Sequence, residues 1–373
     1  MAARKRIVVK IGTSTLTGGS PKLHLPRIVS LASQISSLCA EGHQVALVTS
    51  GAIAIGRERL NFPDLPKSIP AKQMLAAVGQ PRLMNVYEQL FEIYGLNVAQ
   101  VLLTREDISD RRRYLNARNT LESLLAQGVL PVINENDTVA TEEIRIGDND
   151  NLSALVANLI EADLLILLTD QEGLLTADPR RSRDARLIEE IVPGDFSADI
   201  WDAAGGSRNG LGTGGMTTKL QAADVARRSG SLVVIAKGDH PDVIERLVNG
   251  EKLGTRILPA VDKLESRKRF MLAGAEENSF ITIDNGAASA IRSGGSLLPV
   301  GVTGCEGQYE RGDIIYIKDA KGKPRALGVV NYSSVDINTI KGRHSDEIEK
   351  ILGYAYGDEI IHHNNMTLLG GAR

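Results

Sequence analysis

Short runs at 6–11, 44–49, 97–103, 129–133, 164–169 and 232–237 are β-branched or aliphatic over most of their length. A run that is apolar on odd and even positions alike reads as a strand buried on both faces. Between these runs lie helix-patterned segments at 26–40, 71–94, 115–126, 152–160 and 218–228. Strands alternating with helices predict an α/β fold, a mainly parallel sheet sandwiched by helices. In such sheets ligands collect beyond the carboxyl ends of the strands, so polar and glycine residues are expected there. They do gather there: Lys10-Ile-Gly-Thr-Ser ends the first strand, Thr49-Ser-Gly-Ala the second, Asn134-Glu-Asn-Asp the fourth and Thr169-Asp-Gln-Glu-Gly the fifth.

After Pro259 the pattern changes. A charged stretch at 260–276 reads as a linker with helical character, and short strand-like runs follow at 280–284, 314–318 and 326–331, separated by glycine turns. That is the pattern of a small, mostly β domain. The expected division is 1–259, a linker at 260–276, a second domain at 277–357 and a tail at 358–373. Two domains also suit a chain of 373 residues, which exceeds the size one core usually serves.

Net charge is −3, and the part after Pro259 carries 14 Lys and Arg against 15 Asp and Glu. Neither part is a basic arm, so a polyanion partner is not expected. Cys39 and Cys305 are far apart, without metal-ligand spacing, and suit a reducing compartment. No apolar leader and no stretch of spanning length is present, so a cytoplasmic location is expected and no membrane partner.

Between Asn209 and Lys219 the chain runs Asn-Gly-Leu-Gly-Thr-Gly-Gly-Met-Thr-Thr-Lys and opens onto a helix. Gly210, Gly212, Gly214 and Gly215 let backbone N–H groups approach an anion, while the helix dipole and Lys219 add charge. A flexible surface loop would show the same glycines, and the Gly-Lys-Ser/Thr ending of a Walker A loop is absent. Lys10, flanked by Val8, Val9 and Ile11, is costly to bury alone and reads as facing an anion from the sheet edge, or else as snorkelling to solvent. Two lysines on a phosphoryl group would neutralise charge that shifts during transfer.

Gly147-Asp-Asn-Asp-Asn151 precedes an apolar helix that Asn151 can cap. Asp148, Asn149 and Asp150 are then surplus and, with Asn134, Asn136 and Asp137, make a polar surface suited to an ammonium and carboxamide-sized ligand; turn-rich loops with Asx-turns are the plainer reading. His24, His43, His240, His344, His362 and His363 lie outside these clusters. A carboxylate acceptor, ionised at neutral pH, would need no general base.

These motifs, in their order and spacing from Lys5 to near Gly357, resemble the bacterial glutamate 5-kinases. The segment with Asp284-Asn-Gly-Ala, Gly294-Gly-Ser-Leu-Leu-Pro and Arg311-Gly-Asp looks like a PUA domain. The resemblance implies an amino-acid-kinase fold, ATP and Mg2+, and phosphorylation of the L-glutamate side chain as the first step of proline biosynthesis. It implies that Lys10 and Lys219 stabilise the transferring phosphoryl, with Asp150 holding both. Ser50, Gly51, Asn134, Asp137, Asp148 and Asn149 would serve glutamate. Lys10, Gly12, Thr169, Asp170, Thr213, Gly214, Gly215, Met216, Thr217, Thr218 and Lys219 would serve ATP, and no protein ligand is assigned to the metal. L-proline as feedback inhibitor, a homodimer or tetramer and a glutamyl-phosphate reductase partner are implied in the same way. Other kinases of this fold, acting on acetylglutamate, aspartate or a nucleoside monophosphate, and an RNA-binding role for the PUA domain are the competing readings. The run 199–208, with Trp201, matches no motif.

Overall fold

Eight strands, β1 (Arg6–Ile11), β2 (Gln44–Thr49), β3 (Val98–Leu103), β4 (Leu130–Glu135), β5 (Leu164–Thr169), β6 (Glu190–Ile191), β7 (Leu232–Lys237) and β8 (Thr255–Ile257), form one sheet in the order β3-β4-β2-β1-β5-β7-β8-β6. The computed structural model describes residues 4–140, 149–177, 184–194, 196–205 and 215–369. All pairings in this sheet are parallel except β7 with β8. β1 lies at its centre, between β2 and β5, and the chain passes from one half of the sheet to the other around it.

The sheet is covered on both faces, as its continuously apolar strands require. Ile7, Val9 and Ile11 of β1 join one core with the helices Leu25–Ala40, Ile69–Glu92 and Val243–Val248. Val8 joins the other core, with the helices Arg111–Ala126, Asn149–Leu159 and Met216–Arg228. Side chains alternate along a strand, so Lys10 faces the same way as Val8. Its partners must therefore come from the second layer of helices.

The helix Ala52–Arg59, which the periodicity of the sequence did not announce, crosses Ile69–Glu92 at glycines. A Cβ on Gly79 would stand 1.8 Å from the Ala52 carbonyl oxygen, and one on Gly56 would stand 1.9 Å from that of Leu75. Backbone thus packs on backbone, and the turn Ser50-Gly51 is seated beside the middle of the long helix.

The chain divides into compact units at Met1–Lys263 and Leu264–Arg373. In the second unit β9 (Ala275–Ile283), β10 (Val302–Glu306), β11 (Ile314–Asp319), β12 (Pro324–Val329) and β13 (Met366–Leu368) form a sheet in the order β10-β9-β11-β12-β13. Two stretches of the expected division take definite form here. The stretch read as a linker is largely the helix Lys263–Gly274, which runs straight into β9. Within the expected tail, residues 358–369 belong to the second unit: β13 pairs with β12 and Leu297 bridges Ile361, which buries Ile360, Ile361 and Met366 in its core.

Candidate active site

Asp150 sits at the start of the helix Asn149–Leu159, 3% exposed, with an ammonium group on each carboxylate oxygen. Lys10 Nζ lies 2.6 Å from Oδ1 and Lys219 Nζ 3.1 Å from Oδ2. Thr218 Oγ1 also donates to Oδ2, at 2.8 Å. Burial opposes the charge on Asp150, but the two lysines and these hydrogen bonds outweigh it and hold the carboxyl well below the usual carboxylate range. Lys10 and Lys219 are 5% and 8% exposed. Two buried cations thus share the Asp150 carboxylate, a setting suited to an anionic ligand.

The sequence builds this centre from three places. β1 brings Lys10 to the carboxyl edge at the point where the sheet order reverses, the usual ligand crevice of such sheets. Gly12 leaves room for it, since a Cβ there would stand 3.2 Å from Lys10 Nζ. Gly215, with φ of 129°, opens the helix that carries Thr218 and Lys219 in its first turn. That helix and Ala52–Arg59, which follows Gly51 (φ 102°), have no side-chain cap, whereas Ser68, Thr104 and Asp110 cap other helices of the unit. Helix starts without a side-chain cap present N–H groups suited to an anion.

Beside Asp150 lies an amide cluster. Asn149 Nδ2 is within 2.9 Å of the Thr49 carbonyl, 3.0 Å of Ser50 Oγ and 2.9 Å of Asn134 Oδ1. Asn134 Nδ2 donates to Gln80 Oε1 at 2.8 Å, and its Oδ1 also accepts from the Glu135 N–H at 2.9 Å. The Ser50 N–H is engaged by the Ile11 carbonyl, so the hydroxyl, not the backbone, is what Ser50 can offer a ligand. Asp137 follows at the end of β4, half-buried, and burial pushes its carboxyl up to about 6.

Most expected residues thus fall on one edge. Thr169, buried, donates its hydroxyl to the exposed Asp170 at 3.1 Å, at the end of β5. Thr217 is less free than expected, because its hydroxyl donates to the Ala204 carbonyl at 3.0 Å. Met216 is half-buried in the same first turn. Asp148, Thr213 and Gly214, with Gly210 and Gly212, lie outside the described residues.

Three readings change. The helix starts at Asn149, so Asn151 lies inside its first turn instead of capping it. Asn136 is a turn residue: its carbonyl accepts from the Val139 and Ala140 N–H groups at 3.1 Å, and its Oδ1 accepts from Thr138 Oγ1 at 2.6 Å. His240 is not remote from the rim, since its Nε2 lies 2.7 Å from Glu172 Oε2, an oxygen pair that Lys237 also contacts at 3.1 Å. Gln80 was missed altogether. Its signal is a polar residue in a helix stripe otherwise made of Ala76, Gly79, Leu83 and Tyr87, all buried.

A family model described as the amino acid kinase family matches residues 5–237, and one for the PUA domain matches 280–352. The glutamate 5-kinase of Shewanella amazonensis is 55% identical over 366 residues, covering 98% of this chain and 96% of its own length. That of Photobacterium profundum is 55% identical over 367 residues, covering 98% and 97%. That of Deinococcus radiodurans is 51% identical over 368 residues, covering 98% and 100%.

Proposed function

The chain belongs to the amino acid kinase family, and with glutamate 5-kinases as relatives along nearly its whole length we propose that it phosphorylates the side-chain carboxylate of L-glutamate from ATP. The observation that carries this reading is the buried centre Lys10–Asp150–Lys219 set beside the Asn149–Asn134–Gln80 amide cluster. A γ-carboxylate oxygen of glutamate attacks the γ-phosphorus, the bond from that phosphorus to the β,γ-bridging oxygen breaks, and ADP leaves with those electrons. The nucleophile is already an anion, so no proton is removed and no base is required. Lys10 and Lys219 balance charge moving onto the departing oxygen, and Asp150 keeps both ammonium groups on that spot.

Ser50, Asp137 and Asn149, with Asn134 and Asp148, hold glutamate, and the N–H groups at the start of Ala52–Arg59, which no side chain caps, donate to its reacting carboxylate. Gly12, Thr169, Asp170 and the stretch 213–219 hold ATP. Among the described residues no cluster of three acidic, histidine or cysteine side chains could hold a metal ion, and Asp150 already has an ammonium group at each oxygen. Mg2+ is therefore assigned to the phosphates of ATP and to water, with no step through a protein-bound metal.

The same proposal includes proline as feedback inhibitor, assembly into a dimer or tetramer, hand-over of product to a glutamyl-phosphate reductase and a cytoplasmic location. No helix among the described residues is long and apolar enough to cross a membrane. RNA is not proposed as a ligand of the PUA domain. Its near-neutral sequence gives little electrostatic attraction, and Arg311 and Lys318 lie over the rings of Tyr356 and Phe280 at 3.9 and 3.4 Å.

The test is ATP turnover with hydroxylamine present to trap acyl phosphate, using L-glutamate, N-acetyl-L-glutamate and L-aspartate as acceptors, with and without proline. Hydroxamate from L-glutamate alone is expected, suppressed by proline. Turnover only with another acceptor would keep the family and discard the substrate.

A further inference from the structure

We propose that Gln80 is a substrate-positioning residue whose Nε2 donates to the α-carboxylate of the bound amino acid. The inference rests on the glutamate reading above and assigns a role that none of the expected site residues fills.

The argument starts from the polarity of the amide relay. At one end Asn149 faces the Thr49 carbonyl, a group that can only accept, so the atom 2.9 Å away must be the Asn149 amide nitrogen. That nitrogen also faces Asn134, which therefore turns its oxygen toward Asn149. The Glu135 N–H, which can only donate, meets the same Asn134 oxygen at 2.9 Å and fixes the choice independently. Asn134 is left presenting its nitrogen to Gln80, at 2.8 Å, so Gln80 must answer with its oxygen. Two backbone groups thus dictate which way the Gln80 amide points, although neither touches it.

The consequence is a buried donor with nothing to give to. Gln80 is 9% exposed and its Nε2 has no hydrogen-bond partner among the described residues. Asn149 is equally buried, and its Oδ1 is likewise unpartnered. Buried polar groups are nearly always satisfied, and each exception calls for a reason. One orphan donor and one orphan acceptor at the two ends of a single relay match the two ends of an amino-acid head group: a carboxylate takes from Gln80 and an ammonium gives to Asn149. The reacting carboxylate belongs with Lys10 and Lys219 at Asp150, the residue after Asn149, so the carboxylate left for Gln80 is the α one. The crossing at Gly79 and Gly56 presses the Gln80 turn against the start of Ala52–Arg59 and holds it at the end of β4.

The experiment compares two ligands. 4-Aminobutyrate keeps the ammonium and the reacting carboxylate of glutamate and lacks the α-carboxylate. Gln80→Met, of similar volume, removes the donor; Gln80→Glu keeps an acceptor for Asn134 and replaces the donor with oxygen. Both variants should raise the KM for L-glutamate about tenfold or more, because a site built to give a hydrogen bond loses that much without it. The KM for ATP, and the Ki of 4-aminobutyrate as a competitor of glutamate, should stay within about twofold, because neither ligand meets Gln80. An equal loss for both acceptor-site ligands would make Gln80 a structural residue and overturn the proposal, as would an unchanged glutamate KM in the two variants. If the unaltered protein gives no hydroxamate from L-glutamate, the functional reading fails first and the inference falls with it. Melting temperature measured on each variant separates a folding defect from a binding one, and Gln80→Glu, which preserves the Asn134 bond, supplies the result if Gln80→Met does not fold.

Discussion

Lys10 Nζ and Asp150 Oδ1 are 2.6 Å apart, and both side chains are almost wholly buried. An ion pair of this kind reports position more than stability, since desolvation offsets most of the attraction. Here the acid is shared with Lys219. Lys10 is thus a buried cation fixed at the carboxyl edge of the sheet. Lys10→Ala is expected to lower kcat by about a hundredfold or more and to change the glutamate KM only a few-fold, because the charge it answers grows in the transition state. Steady-state kinetics in both substrates decide this, and an effect on KM alone would remove Lys10 from the chemistry.

Asp150→Asn should behave differently. It leaves two buried ammonium groups without their counter-charge, a defect of about 3–5 kcal/mol for broken buried pairs. The folded protein should lose stability to denaturant by an amount of that order. ATP, which brings negative charge to the same place, should restore more stability to this variant than to the unaltered protein. Equal stabilisation by ATP in both would mean that the phosphates do not reach the two lysines.

The contrast between these residues and Gln80 shows what the chain discloses on its own. β1, β2, β5 and β7 coincide with the apolar runs at 6–11, 44–49, 164–169 and 232–237, because a strand buried on both faces needs no partner to be recognised. Lys10 and Asp150 were legible as costly or surplus groups at strand and helix ends. The helix Ala52–Arg59 was not legible: its eight residues are stabilised by a glycine crossing that appears only when Gly56 meets the helix carrying Gly79. β10 and β13 escaped notice because both are short, β10 pairing with β9 across an irregular register and β13 with β12 some way back in the chain. The Gln80–Asn134 bond joins residues 54 positions apart, a separation at which no local pattern operates.

Gly79→Ala tests that crossing. The added methyl would have to occupy space 1.8 Å from a backbone oxygen, with no flexible side chain to yield. Overpacking of this sort costs about 1–3 kcal/mol, and backbone contact places it at the upper end. A fall in Tm of roughly 5–10 °C is expected for a unit of this size. The glutamate KM should rise as well, since Gln80 is the next residue. A variant with unchanged Tm and KM would show that the two helices can part without disturbing the site.

Asp137 gives the enzyme a pH limit. Burial raises its carboxyl to about 6, so the side chain is charged in neutral solution and loses its charge as pH falls through that value. A bound ammonium favours the carboxylate, so the complex should hold its charge to lower pH than the free enzyme does. The affinity for glutamate should therefore be flat above about pH 7 and weaken below 6, the glutamate KM approaching a tenfold rise per unit once the free enzyme is mostly protonated. The ATP KM should not follow the same curve if Asp137 serves the amino acid, as proposed. Asp137→Asn should bind glutamate weakly at every pH and lose the inflection near 6. A profile in which the variant retains that inflection would assign the titration to another group and remove Asp137 from the ammonium site.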